Sequence, residues 1–122
     1  MISLEWAYAK GERKKGKRIL VDRLWPRGIT KDSLKIDLWI RDIAPSDELR
    51  KWFSHEPEKW PEFRSHYFSE LNSNNAVYDI LDVCKRQDAV FVFAAKEQRY
   101  NNAVALKEYV ESKSHDWRSL PF

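Results

Sequence analysis

"AVFVFAA", Ala89 to Ala95, decides the fold, because nothing polar interrupts it. A run of this kind is a strand covered on both faces, central in its sheet and flanked by helices on either side. A second short apolar run, "RILVD" from Arg18 to Asp22, has polar ends and reads the same way. Upstream, "ISLEWAY" (Ile2 to Tyr8) alternates moderately and makes a first strand that ends at a basic loop with two glycines. In "IDLWI", Ile36, Leu38 and Ile40 recur at period two, which favours a third strand, while Trp39, Ile40 and Ile43 would also suit a helix.

From Pro45 the period changes. Ser46 is an N-cap, with Asp47 and Glu48 at the positive end of the helix that follows. Leu49, Trp52 and Phe53 form its apolar stripe. Phe63, Tyr67 and Leu71 mark the buried side of a helix from about Pro61 to Leu71, and Val77, Ile80, Leu81 and Cys84 mark that of the next. After Ala95, a last helix begins near Asn101 or Asn102 and turns Ala103, Leu106 and Val110 inward. Together these elements predict an α/β fold with a small, largely parallel sheet flanked by helices. The first strand is expected to lie antiparallel, since its connection to the second is short.

At 122 residues the chain reads as a single α/β domain, residues 1–122, able to bury a core without metal or disulfide support. With 43% hydrophobic residues against 34% charged, disorder is not expected beyond short segments. A lone cysteine, Cys84, on an apolar helical face excludes an intramolecular disulfide and favours a reducing compartment. "MISLEWAYAKGERKKGK" holds no uncharged run suited to a signal peptide or a membrane span, so the expectation is a cytoplasmic protein without a membrane partner.

Function is sought where the strands end. "ILVDRLWPRG", Ile19 to Gly28, starts as a buried strand and closes on an aspartate, two arginines, a tryptophan, a proline and a glycine. "VFVFAAKEQRYNNA" likewise turns polar at its carboxyl end. Ligands of open α/β sheets bind at the carboxyl ends of parallel strands. If these two strands are parallel neighbours, Asp22, Arg23 and Arg27 meet Lys96, Asn101 and Asn102 over one crevice. Arginines grip phosphate or carboxylate through paired hydrogen bonds, and the free N–H groups of a helix start add partial positive charge. Asp22 either orients an arginine or acts as a base, and flanking guanidinium groups would lower its pKa, which suits the first role. Gly28 lets the backbone turn or approach a ligand, and Trp25 stacks on a ligand or closes the core. The competing reading is a structural ion pair that fastens a loop.

At this point the residues carry a resemblance. "RILVDRLWPRG", "DLWIRDIAPSDELRKWFSHEPEKWPEFRSHYFSEL" and "FAAKEQRYNNAVALKEY" look like the YeaO-like group of the domain-of-unknown-function 488 (DUF488) family, in order from Arg18 to Val110. The resemblance implies an α/β fold and a small bacterial or archaeal cytosolic protein, and it brings no biochemical activity with it. The shared words fall on Asp22, Arg23, Trp25, Pro26, Arg27 and Gly28, on Asp37, Trp39, Pro45, Ser46, Leu49, Arg50, Trp52, Phe53 and His55, and on Lys96, Asn101 and Asn102. Larger members of the wider family resemble a pattern with cysteines and a Cys-His-Arg triplet after the last strand. Here those places hold Ala94 or Ala95 and "YNN", so thiol chemistry is absent there, and Tyr100 stands where close relatives often have a histidine.

Three functional readings follow. The first is a crevice for a small anionic ligand, held by Arg23, Arg27 and Lys96; its enzymatic version makes Asp22 or His55 the proton carrier of a hydrolase or transferase. The second is a nucleic-acid-binding module using "KGERKKGKR", residues 10–18, which carries six basic residues against one acid. The third is a protein-interaction subunit or homodimer built on the apolar tail with Trp117, Leu120 and Phe122. His66 and His115 lack partners at ligand spacing and no paired-cysteine or His-Glu-x-x-His pattern occurs, so no metal and no cofactor is expected.

Overall fold

A computed structural model describes residues 1–118, with side chains described for residues 1–113. Its strands are β1 (Ile2–Trp6), β2 (Lys17–Leu20), β3 (Leu38–Trp39) and β4 (Ala89–Phe93), and its helices are α1 (Lys31–Leu34), α2 (Asp47–Phe53), α3 (Trp60–Asn72), α4 (Ala76–Arg86) and α5 (Asn102–Arg118). The sheet order is β1-β4-β2-β3, and every neighbouring pair is parallel. The α/β class and the central place of "AVFVF" are as the apolar run dictates, and all five of its residues are buried. Among the described residues no helix is long and apolar enough to cross a membrane.

The first strand corrects one expectation. β1 lies parallel to β4, from Ile2 opposite Ala89 to Trp6 opposite Phe93, and β2 flanks β4 on the other side. Residues 7–16 must therefore return along the sheet and step over β4. Ten extended residues reach about 33–36 Å. A five-residue strand and two strand spacings ask for roughly 27 Å. The return needs no helix, which is why a short connection was a poor guide to direction.

The return is pinned from within. Glu5, buried on β1, accepts from Arg18 Nη2 at 2.7 Å, from Arg13 Nη1 at 3.1 Å and from the Lys14 N–H at 3.1 Å. Arg13 also donates to the Ser33 carbonyl of α1 at 3.1 Å, and Arg18 to the Leu34 carbonyl at 3.1 Å. Gly16 closes the turn at φ 135°, where a Cβ would stand 2.9 Å from the Asp88 carbonyl oxygen, so only glycine fits.

The two faces of the sheet are covered differently. One face packs Ile19, Val21, Phe91 and Phe93 against apolar stripes of α2 to α5, including Leu49, Phe63, Tyr67, Ile80 and Leu106. These are the stripes that the helical spacing predicts. The other face, with Leu20, Val90 and Val92, is covered by Leu34 of α1 and by Trp25, Ile29, Ile36 and Trp39. Helices on both sides of β4 were expected; the second side instead carries an irregular segment with a single helical turn. Residues 21–37 connect β2 to β3, and of them Lys31–Leu34 forms the one α-helical turn. The tail residues Trp117, Leu120 and Phe122 lie outside the residues whose side chains are described.

Candidate functional site

β2 and β4 are parallel neighbours, with Leu20 opposite Val92, so their carboxyl ends open at one edge of the sheet. Asp22 joins the two exits. Its Oδ2 accepts from the Ala94 N–H at 2.9 Å, and its Oδ1 from the Asn102 Nδ2 at 2.9 Å. The same Asn102 amide donates to the Val21 carbonyl at 3.2 Å, and Trp39 Nε1 donates to the Asp22 carbonyl at 2.8 Å. Asp22 thus ties β2, β4, β3 and the start of α5 together. It orients no arginine. Burial pushes its pKa up, and the Asn102 and Ala94 bonds offset this only in part, so the expected lowering by guanidinium groups is reversed.

Above this staple lies a cavity of about 470 Å³. Arg23 and Arg27 line it from the β2 exit, together with Leu24, Trp25 and Pro26. Arg23 donates to the Ala44 carbonyl at 3.3 Å, while the Arg27 carbonyl accepts from the Tyr8 hydroxyl at 2.9 Å. Among the described residues neither guanidinium has a carboxylate partner. The structural ion pair that competed with ligand binding is therefore not formed there. Trp25 closes the core on this side: its Nε1 donates to the Ile29 carbonyl at 2.6 Å and its ring meets Trp39 at 5.6 Å, and it also lines the cavity.

Other expected residues divide. Asn101 and Asn102 both line the cavity, but their side chains are engaged in the fold. Asn101 Oδ1 accepts from the Val104 N–H at 3.0 Å and so caps α5, while its amide donates to the Glu97 carbonyl at 2.8 Å. Lys96 is exposed and does not line the cavity; the chain leaves the sheet after Phe93, and Lys96 lies in the loop before α5. Gly28 does not line it either; at φ 75° with open space around it, it serves the turn. His55 does line it, carried there by two consecutive left-handed residues after α2, Ser54 at φ 46° and His55 at φ 58°. Such a conformation is uncommon outside glycine, and it aims the chain away from the helix axis.

The opposite wall comes from α2 and α3. Asp47 and Arg50, 3.4 Å apart, line it with Phe53 and Phe63, whose rings stack at 4.3 Å. Residue-by-residue reading did not single these out as site residues. Arg50 stands in the "LRKWF" word that carries the resemblance, and that word is the signal that could have found it. Ser46 sets this helix in place: its Oγ accepts from the Leu49 N–H at 3.2 Å and donates to Glu70 Oε2 at 2.6 Å.

Elsewhere, the basic run of residues 10–18 spends Arg13, Arg18 and the Lys14 N–H on Glu5, leaving the side chains of Lys10, Lys14 and Lys15 exposed. Cys84 is buried in the core, and burial raises its thiol pKa to about 11, which makes it a poor nucleophile. Among the described residues no three His, Cys, Asp or Glu side chains gather as a metal site would need.

The sequence model described as the inactive DUF488-N3 subclade matches residues 1–119. The chain belongs to the DUF488 family. Within it, this DUF488 chain is 39% identical over 112 residues to the uncharacterized protein YeaO of Escherichia coli, covering 91% of this chain and 97% of YeaO. It is 37% identical over 98 residues to uncharacterized proteins of Mycobacterium tuberculosis and Mycobacterium bovis, covering 80% of this chain and 83% of each relative. No solved structure matches it.

Proposed function

We propose that this DUF488 protein binds a small anionic ligand, a phosphate or a carboxylate, in the crevice at the carboxyl ends of β2 and β4. One observation carries the reading: Arg23 and Arg27 face a cavity of about 470 Å³ without a carboxylate partner among the described residues. Next to this open space Arg27 has donors to offer an oxyanion, and Arg23 has those beyond its one Nη2 bond to the Ala44 carbonyl. Arg50 adds a third guanidinium on the far wall, partly offset by Asp47.

Binding without turnover is the form we favour. Both oxygens of Asp22 already accept hydrogen bonds, so the carboxyl serves the scaffold and is poorly placed to take a substrate proton. The description "inactive" given to the matching subclade, and Ala94 and Ala95 in place of cysteines, point the same way. His55 is the residue on which an enzymatic version would rest, and His55→Ala would then abolish turnover of a ligand that still binds.

The test is thermal stabilisation by a panel of phosphates and carboxylates, repeated on Arg23→Ala and Arg27→Ala. Each lost charge-assisted contact should weaken binding by roughly 10- to 100-fold, the equivalent of about 1.5–3 kcal/mol. A panel that stabilises nothing, or stabilises both variants as well as the parent, sinks the proposal. A nucleic-acid reading has less support, because half of the basic run is engaged by Glu5 or half-buried; it would require affinity that falls steeply with salt.

A further inference from the structure

We infer that the ligand is amphipathic: a compact anionic group joined to a flat apolar body, and not a bare oxyanion. The inference rests on the anion-binding reading and adds the ligand's other half. A bare five-atom oxyanion is only a few times the size of a water, which needs about 10–15 Å³ of cavity space, so it would leave most of the cavity unfilled. A volume of about 470 Å³ falls within the range of pockets that hold whole organic molecules.

The character of the walls says what fills the rest. The stacked rings of Phe53 and Phe63 back one side of the cavity; at 4% and 2% exposed they give it an apolar floor with little open surface of their own. Trp25 and Pro26 give another, held by the Trp25 bond to the Ile29 carbonyl. Leu24, next to Arg23 and three residues before Arg27 in sequence, lines the cavity yet is 72% exposed. A side chain this exposed belongs to neither core cluster, so packing of the fold does not account for it. Against a ligand, it would cover a ring whose anionic substituent the neighbouring arginines hold. Aromatic walls and paired guanidinium groups then act on opposite ends of one molecule.

Titration calorimetry with phenyl phosphate and with inorganic phosphate decides this, using the full chain, Leu24→Ser and Arg27→Ala. Leu24 is exposed, so its replacement should leave folding intact. Phenyl phosphate is expected to bind at least 10-fold more tightly than phosphate. Leu24→Ser should erase most of that preference without weakening phosphate, and Arg27→Ala should weaken both. Equal binding of the two probes, both lost in Arg27→Ala, would overturn the amphipathic ligand while leaving the anion site standing. A preference that survives Leu24→Ser unchanged would also overturn it. If neither probe binds, the anion reading falls and this one falls with it. Benzoate against acetate repeats the comparison for a carboxylate head group and is expected to follow the same order if carboxylate is the anion recognised.

Discussion

Asp22 brings opposing forces onto one carboxyl group. Burial discourages its ionisation, the Ala94 and Asn102 donors favour it, and burial wins, leaving the pKa above its ordinary value of 3.8. A pKa raised by folding means that folding favours the protonated acid. The contribution of Asp22 is then fully present below pH 3.8 and is lost as pH rises through the elevated pKa. In Asp22→Asn this titration is gone. Urea denaturation should show wild-type stability falling relative to the variant as pH rises through that window, by about 1.4 kcal/mol for each pH unit of its width. A relative gain instead would mean that the two donors outweigh burial. Tyr67 makes a simpler case: its fully buried hydroxyl donates to the Ile43 carbonyl at 2.6 Å, and Tyr67→Phe should cost about 1–3 kcal/mol by leaving that carbonyl unpaired.

Among the elements, α2 matters most to the site, since it carries Arg50 and hands the chain to His55. It is only seven residues long, so its ends decide whether it forms. Ser46 both caps it and receives the Glu70 carboxylate of α3. Ser46→Ala should destabilise the protein by about 1–2 kcal/mol in chemical denaturation. It should also weaken whatever the cavity binds, because the wall carrying Arg50 loses its anchor. At the start of β2, Gly16 and Gly11 allow a paired comparison. Both have positive φ, but only Gly16 lacks room for a Cβ. Gly16→Ala should therefore be the more costly, by at least about 1 kcal/mol over Gly11→Ala. Equal losses would show that backbone conformation alone matters at the turn.

For the whole molecule, the parallel course of β1 depends on a buried charge cluster. Arg18 is buried with Glu5, and its Nη1 has no hydrogen-bond partner among the described residues. Burial tends to raise the Glu5 pKa, but Arg18, the Lys14 N–H and Arg13 together outweigh it and the pKa is lowered. Stability from Glu5 is consequently present above its ordinary value of 4.5 and lost as pH falls, opposite in sign to Asp22. Glu5→Gln should cost about 3–5 kcal/mol, since it strands a buried guanidinium. Glu5→Leu combined with Arg18→Met should recover much of that loss. If the double variant is no better than the single one, the cluster's worth lies in fixing the return of residues 7–16 and not in its charge balance.

How far the chain could be read follows from the range of the interactions involved. Period-two runs, helical stripes and caps are local, so the sequence by itself determined that "AVFVF" is a buried strand, that Ser46 starts a helix and that Phe63, Tyr67 and Leu71 face inward. The parallel pairing of β2 and β4 stood in the sequence only as a condition for a shared crevice, and the tertiary structure meets that condition. The direction of β1 was not legible there, because it is set by a reach of ten residues and by Glu5 meeting Arg13 and Arg18. Nor were the partners of Asp22, since Asn102 lies 80 residues away along the chain. The far wall with Arg50 and the exclusion of Lys96 were likewise decided only by tertiary packing. Which side chains share a cavity depends on how whole elements pack, and local patterns of polarity do not encode that.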